Sequence, residues 1–188
     1  MPPRVRVTKE QIVEGAMRCL RREGVGGINA RAVAAEIGCS TQPIFSNFET
    51  VEQLKEAVFT EAMELYRSFL RRRMEDPHYP LYKAAGMGYI EFAKAEPQLF
   101  RALFMNPIDC EPRERGWEVG VETLMAATGM NRADAERFHT EMWIFVHGIA
   151  VILATDYIQF EHEEICAMLT DVYTGLRRRY FENKEDAI

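Results

Sequence analysis

The sequence predicts an all-α protein. Apolar residues recur at spacings of three and four along nearly the whole chain. No stretch alternates with period two between hairpin turns. Glycine, proline and capping side chains divide the 188 residues into nine segments of helical length.

Thr8 can cap a first helix that runs to Glu23, with Ile12, Ala16, Cys19 and Leu20 on one face and Gly24, Gly26 and Gly27 as its stop. Asn29 caps a short helix, 30–37, which Gly38 ends. Ser40 can cap a third, 41–47, in whose first turn Pro43 costs little because the N–H it lacks has no helical partner there. Thr50 and Gln53 have capping-box spacing for a long helix, 51–75. The run Asp76-Pro77-His78-Tyr79-Pro80 is a break, followed by helices at 81–95 and 97–105 that Glu96-Pro97 separates. Residues 106–115 contain two prolines and read as a loop. The last three helices are expected at 116–127, at 132–157 under an Asn131 cap, and at 161–182.

Length and composition suit a single globular domain, or a small module joined to a larger one, that needs neither disulfides nor metal. The four cysteines lie at least twenty residues apart and read as reduced, mostly buried apolar residues of a cytoplasmic protein. The first residues lack the apolar stretch of a signal peptide. The longest apolar run, 142–154, is too short for a membrane span and contains His147, so no membrane partner is expected.

One segment carries chemistry. Residues 30–47 read ARAVAAEIGCSTQPIFSN. A helix-turn-helix needs a small residue where two helices cross, a glycine at the turn, and an apolar anchor in the second helix; Ala34, Gly38 and Ile44 have that order and spacing. By spacing alone, an αα-hairpin of an ordinary bundle fits equally. The wider stretch GCSTQPIFSNFETVEQL resembles the TetR/AcrR family of bacterial transcriptional regulators, through the G-x-S turn at Gly38–Ser40, the Ile44-Phe45 anchor, Phe48 and Leu54. The segment Trp143-x-x-x-His147-Gly148 looks like a signature of one subgroup's C-terminal domain. The resemblance implies a DNA-binding head at 1–50 and a ligand-binding, dimerising body at 51–188. It also implies a homodimeric regulator, a repressor rather than an activator, which a small lipophilic or aromatic effector releases from a double-stranded operator.

This chain has Phe45 where the family usually has Tyr, and Val51 where it commonly has Lys, so two phosphate contacts are missing. The grip on phosphate is then expected from Asn29 and Arg31, from the arm residues Arg4, Arg6 and Lys9, and from amides at the Thr50-capped helix start. Base reading is assigned to Thr41, Gln42 and Ser46, with Gln42 able to pair bidentately with adenine. Pro43 and Phe45 offer apolar contact, and Ser40 and Asn47 bracket the recognition helix. The net charge of −6 argues against coating nucleic acid by bulk charge. It divides unevenly, however: residues 1–46 carry +3 and the remainder −9.

In the body the resemblance implies a pocket and a dimer seam. Pocket candidates are the large soft residues Met87, Phe100, Phe104, Trp117, Trp143 and His147, with Tyr89, Phe92 and Met142 in the wider set; each also suits a plain core. Dimer candidates are Phe145, Ile149 and Ile152 on one helix and the stripe Ile165, Leu169, Val172 and Leu176 on the next. Two other readings compete: a helical adaptor that binds protein, and a carboxylate-bundle metalloenzyme. The latter needs two Glu-x-x-His motifs, and the chain has one, Glu136–His139. No catalytic residue, cofactor or metal is assigned.

Overall fold

The computed structural model describes residues 7–105 and 111–181, with the side chains of 111–115 left aside. Among the described residues there is no strand, and the helices are α1 (Lys9–Glu23), α2 (Ala30–Glu36), α3 (Gln42–Asn47), α4 (Val51–Met74), α5 (Leu81–Ala95), α6 (Pro97–Phe104), α7 (Glu111–Thr128), α8 (Arg132–Ala154) and α9 (His162–Phe181). A 3₁₀ turn, Val25–Gly27, follows α1. None of the described helices is long and apolar enough to cross a membrane.

The caps form largely where the side chains predict them. Thr8 Oγ1 accepts from the Gln11 amide at 3.3 Å while Gln11 Oε1 accepts from the Thr8 amide at 3.0 Å, a full capping box. Asn29 Oδ1 accepts from the Ala32 amide and Asn131 Oδ1 from the Asp134 amide. At α4, Thr50 Oγ1 accepts from the Gln53 amide, but Gln53 Oε1 reaches back to Glu49, one residue before the cap.

Three boundaries differ from expectation. Ser40 does not cap α3: Thr41 occupies the cap position in a helical backbone conformation, with no side-chain cap bond. The expected loop at 106–115 is shorter, because α7 already begins at Glu111 and Pro112 falls in its first turn, where its missing N–H has no helical role. Residues 106–110 lie outside the described set. Helix α8 stops at Ala154 rather than Tyr157, since Thr155 caps it and Asp156 turns left-handed at φ 54°. Glu182, the expected end of the last helix, is also outside the described residues.

The chain forms two compact units: Met1–Ser68 with Ala95–Pro107, and Phe69–Lys94 with Ile108–Ile188. The first is larger than the expected 1–50 head, and it takes in α6. There α1 turns Ile12, Ala16, Cys19 and Leu20 inward; α1 packs against α2, α3 and α6. Val33, Ala34, Ile44, Phe48, Leu54, Val58, Leu99, Phe100 and Leu103 complete this core. In the second unit α7 packs on α8 and α8 on α9, around Met87, Phe92, Val121, Leu124, Phe138, Leu153, Ile165 and Leu169.

The turn between α2 and α3 depends on Gly38 at φ 69°, with the Cys39 amide donating to the Ala34 carbonyl at 2.9 Å. A Cβ on Gly38 would meet nothing within 4 Å, so a side chain there adds backbone strain and no clash. Gly38→Ala should therefore cost about 1 kcal/mol, read as a lower urea midpoint at unchanged slope.

Candidate functional site

Two sets of side chains merit attention, one in each unit. In the first, the α2–turn–α3 arrangement buries Val33, Ala34, Ile44 and Phe48 and leaves Arg31, Ser40, Gln42, Phe45, Ser46 and Asn47 exposed. Gln42 opens α3, and Phe45 is 53% exposed, a large apolar ring offered to solvent. Lys9 Nζ lies 4.9 Å above the Phe48 ring, which places a cation beside the end of α3. Because Thr41 makes no cap bond, its hydroxyl is not committed to the helix end.

Local bonds narrow what the other candidates can offer. Ser46 Oγ donates to the Gln42 carbonyl at 2.9 Å, and Asn47 Nδ2 donates to the Pro43 carbonyl at 2.8 Å. Ser46 therefore presents acceptor lone pairs outward rather than its proton. The Asn29 oxygen is the α2 cap, which leaves its amide donors. At the start of α4 the Glu49 and Gln53 amides are already bonded, and Glu49 and Glu52 are exposed carboxylates there, so this helix end suits a phosphate poorly. Arg4 and Arg6 fall outside the described residues.

The +3 balance of the head also looks different in three dimensions. Arg18 and Arg22 both bond Glu36, at 2.7 and 2.8 Å, and Arg22 also reaches Glu23. The two guanidiniums hold the Glu36 carboxyl below the usual carboxylate range. Arg21 makes a two-pronged bond to Glu96, Nε at 2.9 Å and Nη2 at 2.8 Å. Three of the seven basic groups are thus matched inside the unit, and Arg31 and Lys9 are the described ones that no carboxylate pairs.

The second set lines α5, α7 and α8. The Tyr82 hydroxyl meets His139 Nδ1 at 2.8 Å, and the Tyr89 hydroxyl meets His147 Nδ1 at 2.9 Å. Trp117 stands edge-on to His139 at 4.6 Å and to Trp143 at 6.1 Å, while Trp143 stacks on His147 at 4.9 Å and 13°. His139, Trp143 and His147 recur every fourth residue and so share one face of α8. Gly120 lets α7 come in close: a Cβ there would sit 2.4 Å from His139 Cε1, inside the ring's contact distance. Burial holds the His139 imidazole below its ordinary value and pushes the Tyr82 phenol up, so both are neutral near pH 7. The result is a row of flat rings with hydrogen-bonding edges, a surface that suits stacking on a planar molecule.

The expected pocket residues separate. Trp117, Trp143 and His147 come together as described. Met87 is fully buried with its sulfur 3.9 Å from Cys166 Sγ. Phe100 and Phe104 belong to the first unit, where Phe100 is fully buried and Phe104 stands edge-on to Tyr66 at 5.0 Å. Tyr82 and His139 are the members that sequence reasoning does not select, although the spacing 139, 143, 147 is a usable signal. Glu136, the partner in the Glu-x-x-His motif, instead bonds Arg132 at 2.8 Å. Among the described residues no three His, Cys, Asp or Glu side chains gather as a metal site.

The dimer candidates also divide. Ile149, Ile165 and Leu169 are 5, 4 and 3% exposed within the single chain, so they belong to its own core and are withdrawn from the seam. The first half of the α9 stripe, Ile165 and Leu169, faces inward, where α9 packs on α8. Phe145, Ile152, Val172 and Leu176 are half-buried, and Ile144 on α8 is 59% exposed.

Residues 82–173, which hold every member of the ring set, match the tetracyclin repressor-like C-terminal domain. This C-terminal part of the chain is of the tetracyclin repressor type. An uncharacterised HTH-type transcriptional regulator of Mycobacterium tuberculosis is 24% identical over 187 residues, covering 93% of this chain and 84% of the relative. A TetR-like transcriptional regulator from Rhodococcus sp. RHA1 has the same fold, with a TM-score of 0.69, 17% identity, and coverage of 97% of this chain and 98% of that one. The multidrug binding protein EbrR, complexed with imidazole, superposes with a TM-score of 0.59 at 23% identity, covering 87% and 88%. The ring set falls inside the matched C-terminal domain, and the helix-turn-helix precedes it.

The neutral His139 makes stability depend on pH. Its folded pKa lies below the 6.5 of an exposed imidazole, so between the two values the unfolded chain binds more protons. Stability should be full above 6.5 and fall as the pH drops below it. In His139→Gln that part of the slope should vanish, as measured by urea midpoints from pH 7.5 to 5.

Proposed function

We propose that this protein is a ligand-responsive DNA-binding regulator of the TetR family, a homodimer that represses transcription until a small planar effector binds. The observation that carries the reading is the exposed α3 surface, with Gln42 and Phe45 outward on a helix held by the Gly38 turn and the Ile44 anchor. A helix of this kind can enter a major groove with its first residues on base edges. The name of the M. tuberculosis relative supports the DNA-binding half of the proposal. The ring set on α5, α7 and α8 supports the ligand half, as does the likeness to EbrR, a multidrug binding protein.

The covalent path suggests how a ligand would act. Tyr82 and Tyr89 belong to α5, and α5 continues through Ala95, Glu96 and Pro97 into α6, which packs on α1 of the head. A ligand that stacks on Trp117 and Trp143 and displaces α5 would therefore pull on α6. Regulation follows if ligand and operator each favour a different arrangement of the heads. We place the dimer seam on the outer face of α8 and α9, around Ile144, Phe145, Ile152, Val172 and Leu176. Gly148 and Gly175 have nothing within 4 Å of where a Cβ would stand, which leaves room for a second helix to approach.

Three measurements test these assignments. Gln42→Ala should weaken specific operator binding by ~1–3 kcal/mol and leave random-sequence binding alone; an equal loss on both removes Gln42 from the readers. With Arg31→Ala the slope of log affinity against log salt should become shallower by about one unit, and an unchanged slope counts against a phosphate contact. Ile144→Glu, a change at an exposed position, should give monomers in sedimentation; persistent dimers would remove that seam.

A further inference from the structure

Neither the helix-turn-helix nor the ring set uses a second polar cluster, where the 75–80 segment, α5 and α9 meet. Cys166 Sγ lies 3.6 Å from His162 Nε2, one turn earlier on α9, and 3.6 Å from the Tyr79 hydroxyl. That hydroxyl is itself 2.9 Å from His162 Nε2, so sulfur, imidazole and phenol form a closed triangle. From α5, Lys83 Nζ donates to the Cys166 carbonyl at 3.1 Å and to Thr170 Oγ1 at 2.8 Å, and lies 5.5 Å from the Tyr79 ring centre. Behind Tyr79, the Arg73 guanidinium is 5.7 Å from the same ring and 3.4 Å from Asp76.

The other described cysteines differ. Cys19 is buried, and desolvation pushes its thiol up. Cys39 is half-buried and donates to the Ser40 carbonyl at 3.0 Å. Among the described thiols, Cys166 combines partial exposure with an imidazole nitrogen in reach and an ammonium nearby. That is the arrangement of a nucleophile with its base, since the thiolate is the reactive form and an adjacent imidazole or cation favours it.

We propose that Cys166 is a covalent-modification site for small soft electrophiles of the activated-alkene class, such as quinones and enals, with His162 as its base. His162 Nε2 takes the thiol proton, and the sulfur lone pair forms a C–S bond to the β-carbon. The alkene π pair moves onto the carbonyl as an enolate, and the imidazolium returns the proton to the α-carbon. One S–H bond and one C=C π bond are lost, one C–S and one C–H bond are gained, no group leaves, and no external oxidant is needed. The adduct parts Cys166 Sγ from Met87 Sδ, now in contact at 3.9 Å, and so loosens α9 from α5, the helix that carries Tyr82 and Tyr89.

The test is a time course of the intact protein with N-ethylmaleimide at pH 6–9, with adducts assigned to each cysteine by peptide mass. Cys110, outside the described residues, is scored separately. Cys166 should react roughly tenfold faster than Cys39 at pH 7. His162→Gln should slow Cys166 several-fold and move its pH–rate midpoint upward while Cys39 stays unchanged, which also reports that the fold is intact. Tyr79→Phe, which keeps the ring and removes the hydroxyl, should move the midpoint the same way. Cys39 reacting as fast as Cys166, or a midpoint that neither variant moves, would overturn the proposal. Preferential sulfenic acid formation with tert-butyl hydroperoxide would overturn the assigned electrophile class.

Discussion

The break at Pro97 is the constraint on which the arrangement of this chain depends. Proline lacks an amide proton and excludes the helical region for the residue before it, and Glu96 accordingly sits at φ −130°, ψ 61°. Without that break α5 and α6 would run on as one helix. With it, α5 stays in the unit of the ring set and α6 joins the core of the unit that holds the helix-turn-helix. Glu96, turned out of the helix, receives the Arg21 fork. Magnitudes rank the two effects. Leu99, Phe100 and Leu103 are each essentially fully buried and stabilise by roughly 1.5–3 kcal/mol apiece. A partly exposed ion pair contributes at most about 1 kcal/mol. Burial holds α6 on α1, and the pair sets where along α1 it docks.

Charge follows the same logic. The acidic total of −6 conceals a basic N-terminal region, yet the tertiary contacts match Arg18, Arg21 and Arg22 with carboxylates. Among the described basic groups of residues 1–46, Lys9 and Arg31 are left for an outside polyanion. On the proposed function, affinity for an operator rests on groove fit and on two heads acting together more than on bulk charge. The body carries its polar groups in the opposite style. Tyr82 pairs with His139 and Tyr89 with His147, which keeps a flat surface of rings whose polar edges are satisfied by one another.

Much of this was legible in the residues. Helices α1, α2, α4, α5 and α6 begin and end within a residue or two of expectation, because each is bounded by a capping side chain, a glycine or a proline whose effect is local. The helix-turn-helix was readable for the same reason: Ala34, Gly38 and Ile44 act within ten residues of one another. The ring set was half readable, since Trp117, Trp143 and His147 stand out as bulky residues, whereas Tyr82 and His139 acquire their role only by meeting across two helices. The start of α7 is not legible in the residues, because a proline in a first helical turn gives the same local signal as one in a loop.

Sequence alone determined the helical class, the caps, the glycine turn and the exposed face of the recognition helix, all of which follow from neighbours a few bonds apart. Tertiary structure decided which stripes turn inward. Ile165 and Leu169 have the periodicity of an interface, but α8 already covers them. Only the fold also assigns α6 to the head, matches the head's arginines to carboxylates, and closes the triangle of Tyr79, His162 and Cys166. The reason is physical. Periodicity shows that a face is apolar, and only the packing of distant segments decides what covers it.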